Sequence, residues 1–169
     1  MYQGRRWTKK KMPSSFYTKE AENDRKYGDN YEKIFQKKVE NWCECKFDNG
    51  ISGWERIDFK GIDKKIAIEL KTRRINKWDF NDIMISKNKI KHAIKLLHKG
   101  YKVFFFWKFK DELCFYDLPK RLPSCIREDL GGTTKRGYDE RAKCYFIPTS
   151  LLKNFKEFNT YKDYMETIN

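Results

Sequence analysis

The sequence predicts an α/β fold: a mixed central sheet with helices on both faces, in the order α-β-β-β-α-β. Three observations carry it. Tyr31, Ile34, Phe35, Val39 and Trp42 recur at helical spacing. Two short apolar runs flank the polar stretch 61–65, which is the pattern of a β-hairpin. Residues 101–107 read Y-K-V-F-F-F-W, a near-continuous apolar run suited to a strand buried on both faces. That run follows an amphipathic segment, so a parallel, right-handed crossover from the hairpin is expected.

The elements follow in order. Residues 1–15 carry Arg5, Arg6, Lys9, Lys10 and Lys11 with no acid, and Trp7 adds a stacking side chain. They read as a disordered or loosely docked basic arm, either gripping phosphates or simply solvated. Residues 16–42 are helical with an interruption near Gly28; Asp29 and Glu32 then suit the N-cap and N3 positions of a capping box. Strands are expected over 43–48, 53–60 and 65–72, with Cys43 and Cys45 alternating on the first and Asn49-Gly50 as a hairpin turn. A loop with Arg73, Arg74, Lys77 and Trp78 follows. Ser86 caps a helix over 87–99 that Gly100 ends, with Ile90, Ala93, Ile94 and Leu97 as its buried stripe. An antiparallel strand follows at 113–116. Residues 118–143 are less regular, and 131–137 form a mobile basic loop with Lys135 and Arg136 that is no Walker motif. A short strand over 144–147 precedes a helix capped by Thr149 or Ser150. Thr160 with Asp163 makes a last capping box. The organisation is a basic arm, 1–15, and one domain, 16–169, with its core at 28–117 and a C-terminal elaboration at 118–169.

Composition narrows the partners. A net charge of +14 over 169 residues argues for a polyanion, most simply nucleic acid. No apolar run reaches the roughly 18 residues of a membrane span, and the N-terminus has no signal-peptide core. No membrane partner is expected, and the protein reads as intracellular, in the cytoplasm or at a nucleoid or viral replication site. The five cysteines match no disulfide or zinc spacing and read as reduced thiols.

The chemistry concentrates on the hairpin. Side chains at i and i+2 of a strand share a face, so Glu69 and Lys71 point together, with Ala67 beneath them, while Ile66, Ile68 and Leu70 point into a core. Ile57 and Phe59 are apolar, which leaves Asp58 on the polar face, where a tight hairpin brings it beside Glu69. Two adjacent carboxylates repel, and a hard cation such as Mg²⁺ (or Mn²⁺) relieves this. A metal there acidifies a bound water, and Lys71 can orient or deprotonate that water or neutralise phosphate charge. The bland alternative is a solvated hairpin face with a Glu69–Lys71 surface ion pair.

Asp58-(x10)-Glu69-x-Lys71 resembles the signature of the PD-(D/E)XK nuclease superfamily, which includes restriction endonucleases, Holliday-junction resolvases and many phage and viral nucleases. The eponymous proline is replaced by Ile57. The resemblance implies a restriction-endonuclease-like core. It implies metal ligation by Asp58, Glu69 and the carbonyl of Leu70, with Lys71 assisting the nucleophilic water, and products with 5′-phosphate and 3′-hydroxyl ends. Gly28-Asp29-Asn30-Tyr31-Glu32 is similar to the G-x-x-x-E of several relatives, so Glu32 stands as a first-helix acid or as a capping residue. Relatives also place a polar residue from the second helix in the cleft, which nominates Lys87 or Lys89. The resulting expectation is a metal-dependent nuclease acting on double-stranded or branched DNA, structure-selective or weakly sequence-specific, and compatible with a homodimer. Arg5, Arg6, Lys9, Lys10, Lys11, Arg73, Arg74, Lys77, Lys87, Lys89, Lys135 and Arg136 would contact the nucleic acid. The alternative is a non-catalytic nucleic-acid-binding or virion-associated protein on the same fold. The Lys-, Asn- and Phe-rich composition suits a phage or large DNA virus.

Overall fold

A computed structural model describes residues 19–48, 57–132 and 141–168. The first helix, α1 (Lys19–Cys43), runs unbroken through Gly28, so neither the expected interruption nor a capping box at Asp29 and Glu32 exists. A glycine inside a helix costs about 1 kcal/mol relative to alanine. Here it faces Thr72: a Cβ on Gly28 would sit 3.4 Å from the Thr72 hydroxyl, so the small residue lets α1 cross the strand end closely. The helix ends at Glu44, whose φ of 49° is left-handed and whose side chain is exposed. That late ending consumes Cys43, so the expected first strand over 43–48 shrinks to β1 (Phe47–Asp48).

The hairpin forms as expected around 61–65. β2 (Phe59–Gly61) pairs antiparallel with β3 (Ile66–Thr72), with Phe59 opposite Ile68 and Lys60 opposite Ala67. The Asn49-Gly50 turn and the expected strand start at 53–56 lie outside the described residues, as do the basic arm, residues 16–18 and most of the loop with Lys135 and Arg136. Beyond β3, the chain makes a 3-10 turn (Lys77–Asp79), then β4 (Asp82–Ser86) and α2 (Lys87–His98), with the Ser86 hydroxyl accepting from the Lys89 backbone N–H. Gly100 follows at φ 84°, closing the helix as its position implied. The apolar run becomes β5 (Lys102–Lys108), parallel to β3 in unbroken register from Ile66–Lys102 to Thr72–Lys108. β6 (Leu113–Asp117) returns antiparallel.

Two later features depart from expectation. β7 (Arg127–Gly131) and β8 (Ala142–Pro148) form with β4 a second, antiparallel sheet in the order β4-β8-β7. The helix expected after Thr149 or Ser150 is instead a 3-10 turn (Thr149–Leu151), β9 (Lys153–Asn154) and a second 3-10 turn (Phe155–Glu157). β9 pairs with the free edge of β6, so its backbone is satisfied by the sheet rather than by a helix. α3 (Tyr161–Glu166) starts at the expected Thr160–Asp163 capping box. The central sheet therefore runs β1-β2-β3-β5-β6-β9.

Each face of this sheet has its own core. Alternate residues Ile66, Ile68, Leu70, Phe104 and Phe106 pack under Phe35, Val39 and Trp42 of α1 and Tyr164 of α3. Ala67, Val103, Phe105 and Trp107 pack under Ile90, Ala93, Leu96 and Leu97 of α2, together with Ile83, Ile85 and Ile147 of the second sheet. Helices thus cover both faces, and β3 is buried on both sides rather than half-solvated. Among the described residues, no helix is long and apolar enough to cross a membrane, and all five cysteines are free thiols.

Trp42 is the hub of the first core. Its indole lies 5.3 to 6.2 Å from the rings of Phe104, Phe106, Phe115, Phe155, Tyr161 and Tyr164, and its buried Nε1 has no hydrogen-bond partner. Trp42→Ala is expected to lower unfolding stability by about 3–5 kcal/mol in urea titrations. Trp42→Phe should lose much less, because it keeps the ring and removes an unpaired N–H; equal losses would contradict the packing account.

Candidate active site

Among the described residues, β2 pairs with β3 at Ala67 and Ile68 and not at the four residues that follow, and at residues 57–58 the chain is out of the ladder. Asp58 stands at that departure. Its Oδ2 accepts a 2.8 Å hydrogen bond from the Leu70 backbone N–H, standing in on that edge for a β2 partner. In a strand, the N–H and C=O of one residue point to the same edge. The Leu70 carbonyl therefore faces Asp58 rather than β5.

Glu69, the next residue back, points to the opposite face from Ile68 and Leu70, towards α2. It is fully buried, at 0% exposure. Its Oε2 accepts a hydrogen bond from Lys89 Nζ at 2.8 Å, and the same ammonium lies 3.9 Å from Asp58 Oδ1. The Lys71 ammonium stands 2.5 Å from Oε1. Burial pushes the Glu69 pKa up; Lys71 pulls it down, Asp58 pushes it further up and Lys89 pulls it down, without offsetting the burial. Desolvation disfavours the charged form of a carboxyl, and here it prevails over two ammonium groups.

Glu32 borders this cluster from α1. Its carboxyl is held above the ordinary range by loss of hydration first, then by the charges of Asp58 and Asp29, with Lys71 opposing and Glu69 adding. It is otherwise an exposed residue in the middle of a helix. The structure thus gathers Asp58, Glu69, Lys71 and Lys89, with Glu32 in electrostatic range. It also separates the two lysines of α2. Lys89 reaches the acids, whereas Lys87 bonds Glu128 of β7 at 2.6 Å. The signal for Lys89 is present in the sequence, since it stands four residues before the buried Ala93 and shares its side of the helix.

The remaining basic candidates are spread out. Arg73 continues the ladder beyond β3, its N–H donating to the Lys108 carbonyl. The Arg74 guanidinium lies 5.4 Å from the Tyr27 ring centre. Lys77 is buried, 3.6 Å from Glu112.

The donor set suits a small hard cation. Two carboxylates and a backbone carbonyl turned to their side are all oxygen ligands, and Mg²⁺ takes one or two carboxylates with water and phosphate. Among the described residues, no group of three or more His, Cys, Asp and Glu side chains is placed to hold a metal. Among the described side chains, a cation here would rest on Asp58 and Glu69.

An acid before a hairpin, an acid and a lysine two residues apart behind it, and a helix closing over them belong to the PD-(D/E)XK nucleases. Residues 17–155 match the family described as "Phage putative PDDEXK endonuclease", and the chain belongs to that family. Among solved structures, the fold is similar to Hjc of Archaeoglobus fulgidus, a Holliday junction resolvase. The likeness has a TM-score of 0.50 at 14% identity and covers 78% of this chain and 93% of that one. A comparison with curated proteins finds no match.

The raised Glu69 pKa has a thermodynamic sign. A carboxyl whose folded pKa lies above its unfolded value binds its proton more tightly when folded. Its contribution is present below the unfolded pKa and is lost as pH rises through the folded one. Glu69→Gln keeps the neutral form at every pH. In EDTA, the melting temperature of the native chain relative to Glu69→Gln should therefore fall as pH rises from the ordinary carboxylate range, about 4, through the raised folded value. A difference independent of pH would contradict the buried-carboxylate reading.

Proposed function

We propose that this protein is a metal-dependent endonuclease that hydrolyses DNA phosphodiester bonds and selects its substrate by DNA shape. The observation that carries the reading is Glu69: a fully buried carboxylate, flanked by Asp58, with two lysines turned on it. A solvated strand face would leave this residue in water. Burying a carboxylate costs several kcal/mol even when it is paired, so a site of this kind stands where chemistry needs it.

Asp58, Glu69 and the Leu70 carbonyl would hold Mg²⁺ or Mn²⁺. When bound, such a cation supplies charge stabilisation at the phosphate and a water of lowered pKa. The chain's own groups do the rest. The Leu70 N–H fixes Asp58 in orientation. Lys71, partly exposed, orients the attacking water and balances charge on the phosphate. Lys89 neutralises Glu69 and Asp58 in the metal-free protein, and with a cation held there its ammonium would be available to a phosphate instead. Glu32, at the rim with a raised pKa, carries a proton to or from solvent.

DNA as substrate is supported by the net charge of +14. Arg73 and Arg74 follow directly on the Glu-x-Lys strand, where they can hold flanking phosphates, and the arm residues Arg5, Arg6, Lys9, Lys10 and Lys11, with Lys135 and Arg136, add further contacts of the same kind. Such contacts position a duplex but carry no sequence information. With the core accounted for, little of the chain remains to read base edges, which favours branches, flaps or ends over a short sequence. The enzyme would work where its DNA is, inside the host cell, and a branched substrate with two cuts suits a homodimer.

The test is nicking of supercoiled plasmid with Mg²⁺, Mn²⁺, Ca²⁺ or EDTA. Cleavage should require Mg²⁺ or Mn²⁺, and Asp58→Ala and Glu69→Ala should abolish it. Lys71→Ala should lower the rate roughly 10²- to 10³-fold while Mn²⁺ still binds by calorimetry. Lys89→Met should bind Mn²⁺ more tightly than the native chain, since it removes a competing cation. Cleavage in EDTA, or full activity without Glu69, would refute the assignment.

A further inference from the structure

Two large aromatic side chains stand in water just beyond the catalytic strand. Trp78 is 64% exposed and Phe80 is 59% exposed. Exposed rings are ordinary on a flexible loop, but the segment that carries these two is tied down along its length. The Ile75 carbonyl accepts from the Lys110 N–H at 3.0 Å, and the Lys77 N–H donates to Asp111 at 3.0 Å. The Asn76 N–H donates to the Asp79 carboxylate at 2.8 Å, closing the 3-10 turn. The Phe80 carbonyl accepts from the Thr149 hydroxyl at 2.8 Å, and the Asn81 carbonyl accepts from the Thr149 N–H at 2.9 Å. Hydrogen bonds to two other segments, at 110–111 and at Thr149, thus hold the loop while its two largest apolar side chains face outward.

The indole itself is braced. Lys77 Nζ sits 4.9 Å from the Trp78 ring centre and is held there by Glu112 at 3.6 Å. Lys77 is 8% exposed, so its charge is spent under the ring and not in solvent. The ring is backed by that ammonium, and most of the residue remains in solvent. A preorganised ring of this kind loses little entropy when a flat partner settles on it.

We infer that Trp78, with Phe80 beside it in the chain, is a stacking platform for unpaired bases of the DNA substrate. The inference rests on the nuclease reading and names the feature of DNA shape that the enzyme selects. Charge complementarity favours a nucleic acid over a second copy of this basic chain: Arg73 and Arg74 precede the platform and Lys108 and Lys110 lie on the segment it is bonded to. Distance fits as well. Trp78 is nine residues beyond Glu69, so the two lie at most roughly 30 Å apart. That is within the span of about nine nucleotides at 3.4 Å each. Bases within a duplex hide their faces in the stack, whereas bases of a flap or a branch present them.

The experiment measures anisotropy of fluorescein-labelled 5′-flap DNA and of a fully paired duplex of the same length, both in EDTA so that no cleavage intervenes. The native protein should prefer the flap, and Trp78→Ala should lose about 5- to 100-fold of flap affinity, well beyond its loss on the duplex. Trp78→Phe should retain most of the preference, and Phe80→Ala should lose part of it. Indole emission should be quenched by the flap in the native chain and less so in Trp78→Phe. Equal losses on both DNAs, unchanged flap binding, or conversion of a native dimer to monomer by Trp78→Ala in sedimentation would overturn the platform. Because binding is read without metal, a native protein that binds flaps selectively but cleaves nothing would refute the nuclease reading alone. Intact plasmid cleavage with no flap preference would refute the platform alone.

Discussion

The fold turns on one buried carboxylate. Glu69 lies in the middle of a seven-residue strand whose neighbours are apolar on both faces, and α2 closes over it. Its charge has to be met from within, and it is met by Lys71 from its own strand, at 2.5 Å, and by Lys89 from α2, at 2.8 Å. These two ion pairs join elements that the apolar cores already bring together. Removing one partner of such a cluster would leave an uncompensated charge, which is a larger penalty than the pair's own net worth.

The shortness of β2 is the second constraint. A full-length partner strand would cover the Leu70 edge and shut the site. Because β2 ends at Phe59, Asp58 can turn in to take the Leu70 N–H, and side chains from both helices reach the same opening. The exposed rings at 78 and 80 follow this strand in the chain. Their loop is anchored to the β5–β6 turn and to Thr149, so the elaboration after residue 118 supports the surface beside the site as well as adding to the second core.

Much of this was legible in the sequence, for identifiable physical reasons. The hairpin and β5 announce themselves because burial on both faces demands long apolar runs. The Asp58, Glu69 and Lys71 grouping follows from period-2 geometry and a tight turn. Other features depend on partners that are distant in sequence. α1 passes through Gly28 because Thr72 crosses there, a contact that no local pattern encodes. β7 reads R-E-D-L-G with no apolar alternation, and only its pairing with β8 makes it a strand. β4 is five residues long, too short for its Ile83–Ile85 alternation to stand out. Glu69 was read as one of several groups on a polar face; that face is a second core, and the burial is what gives the residue its electrostatic character. Lys89 was legible only as one of two candidates, because the rotation of α2 over the sheet decides between it and Lys87.

If Glu69 and Asp58 exchange a lysine counterion for a divalent cation, anomalous diffraction from crystals soaked in Mn²⁺ should show it. One strong peak is expected, bounded by the Asp58 and Glu69 carboxylates and the Leu70 carbonyl, with the Lys89 ammonium drawn away from Glu69. A peak elsewhere on the molecule, or Lys89 still bonded to Glu69 under saturating Mn²⁺, would contradict it.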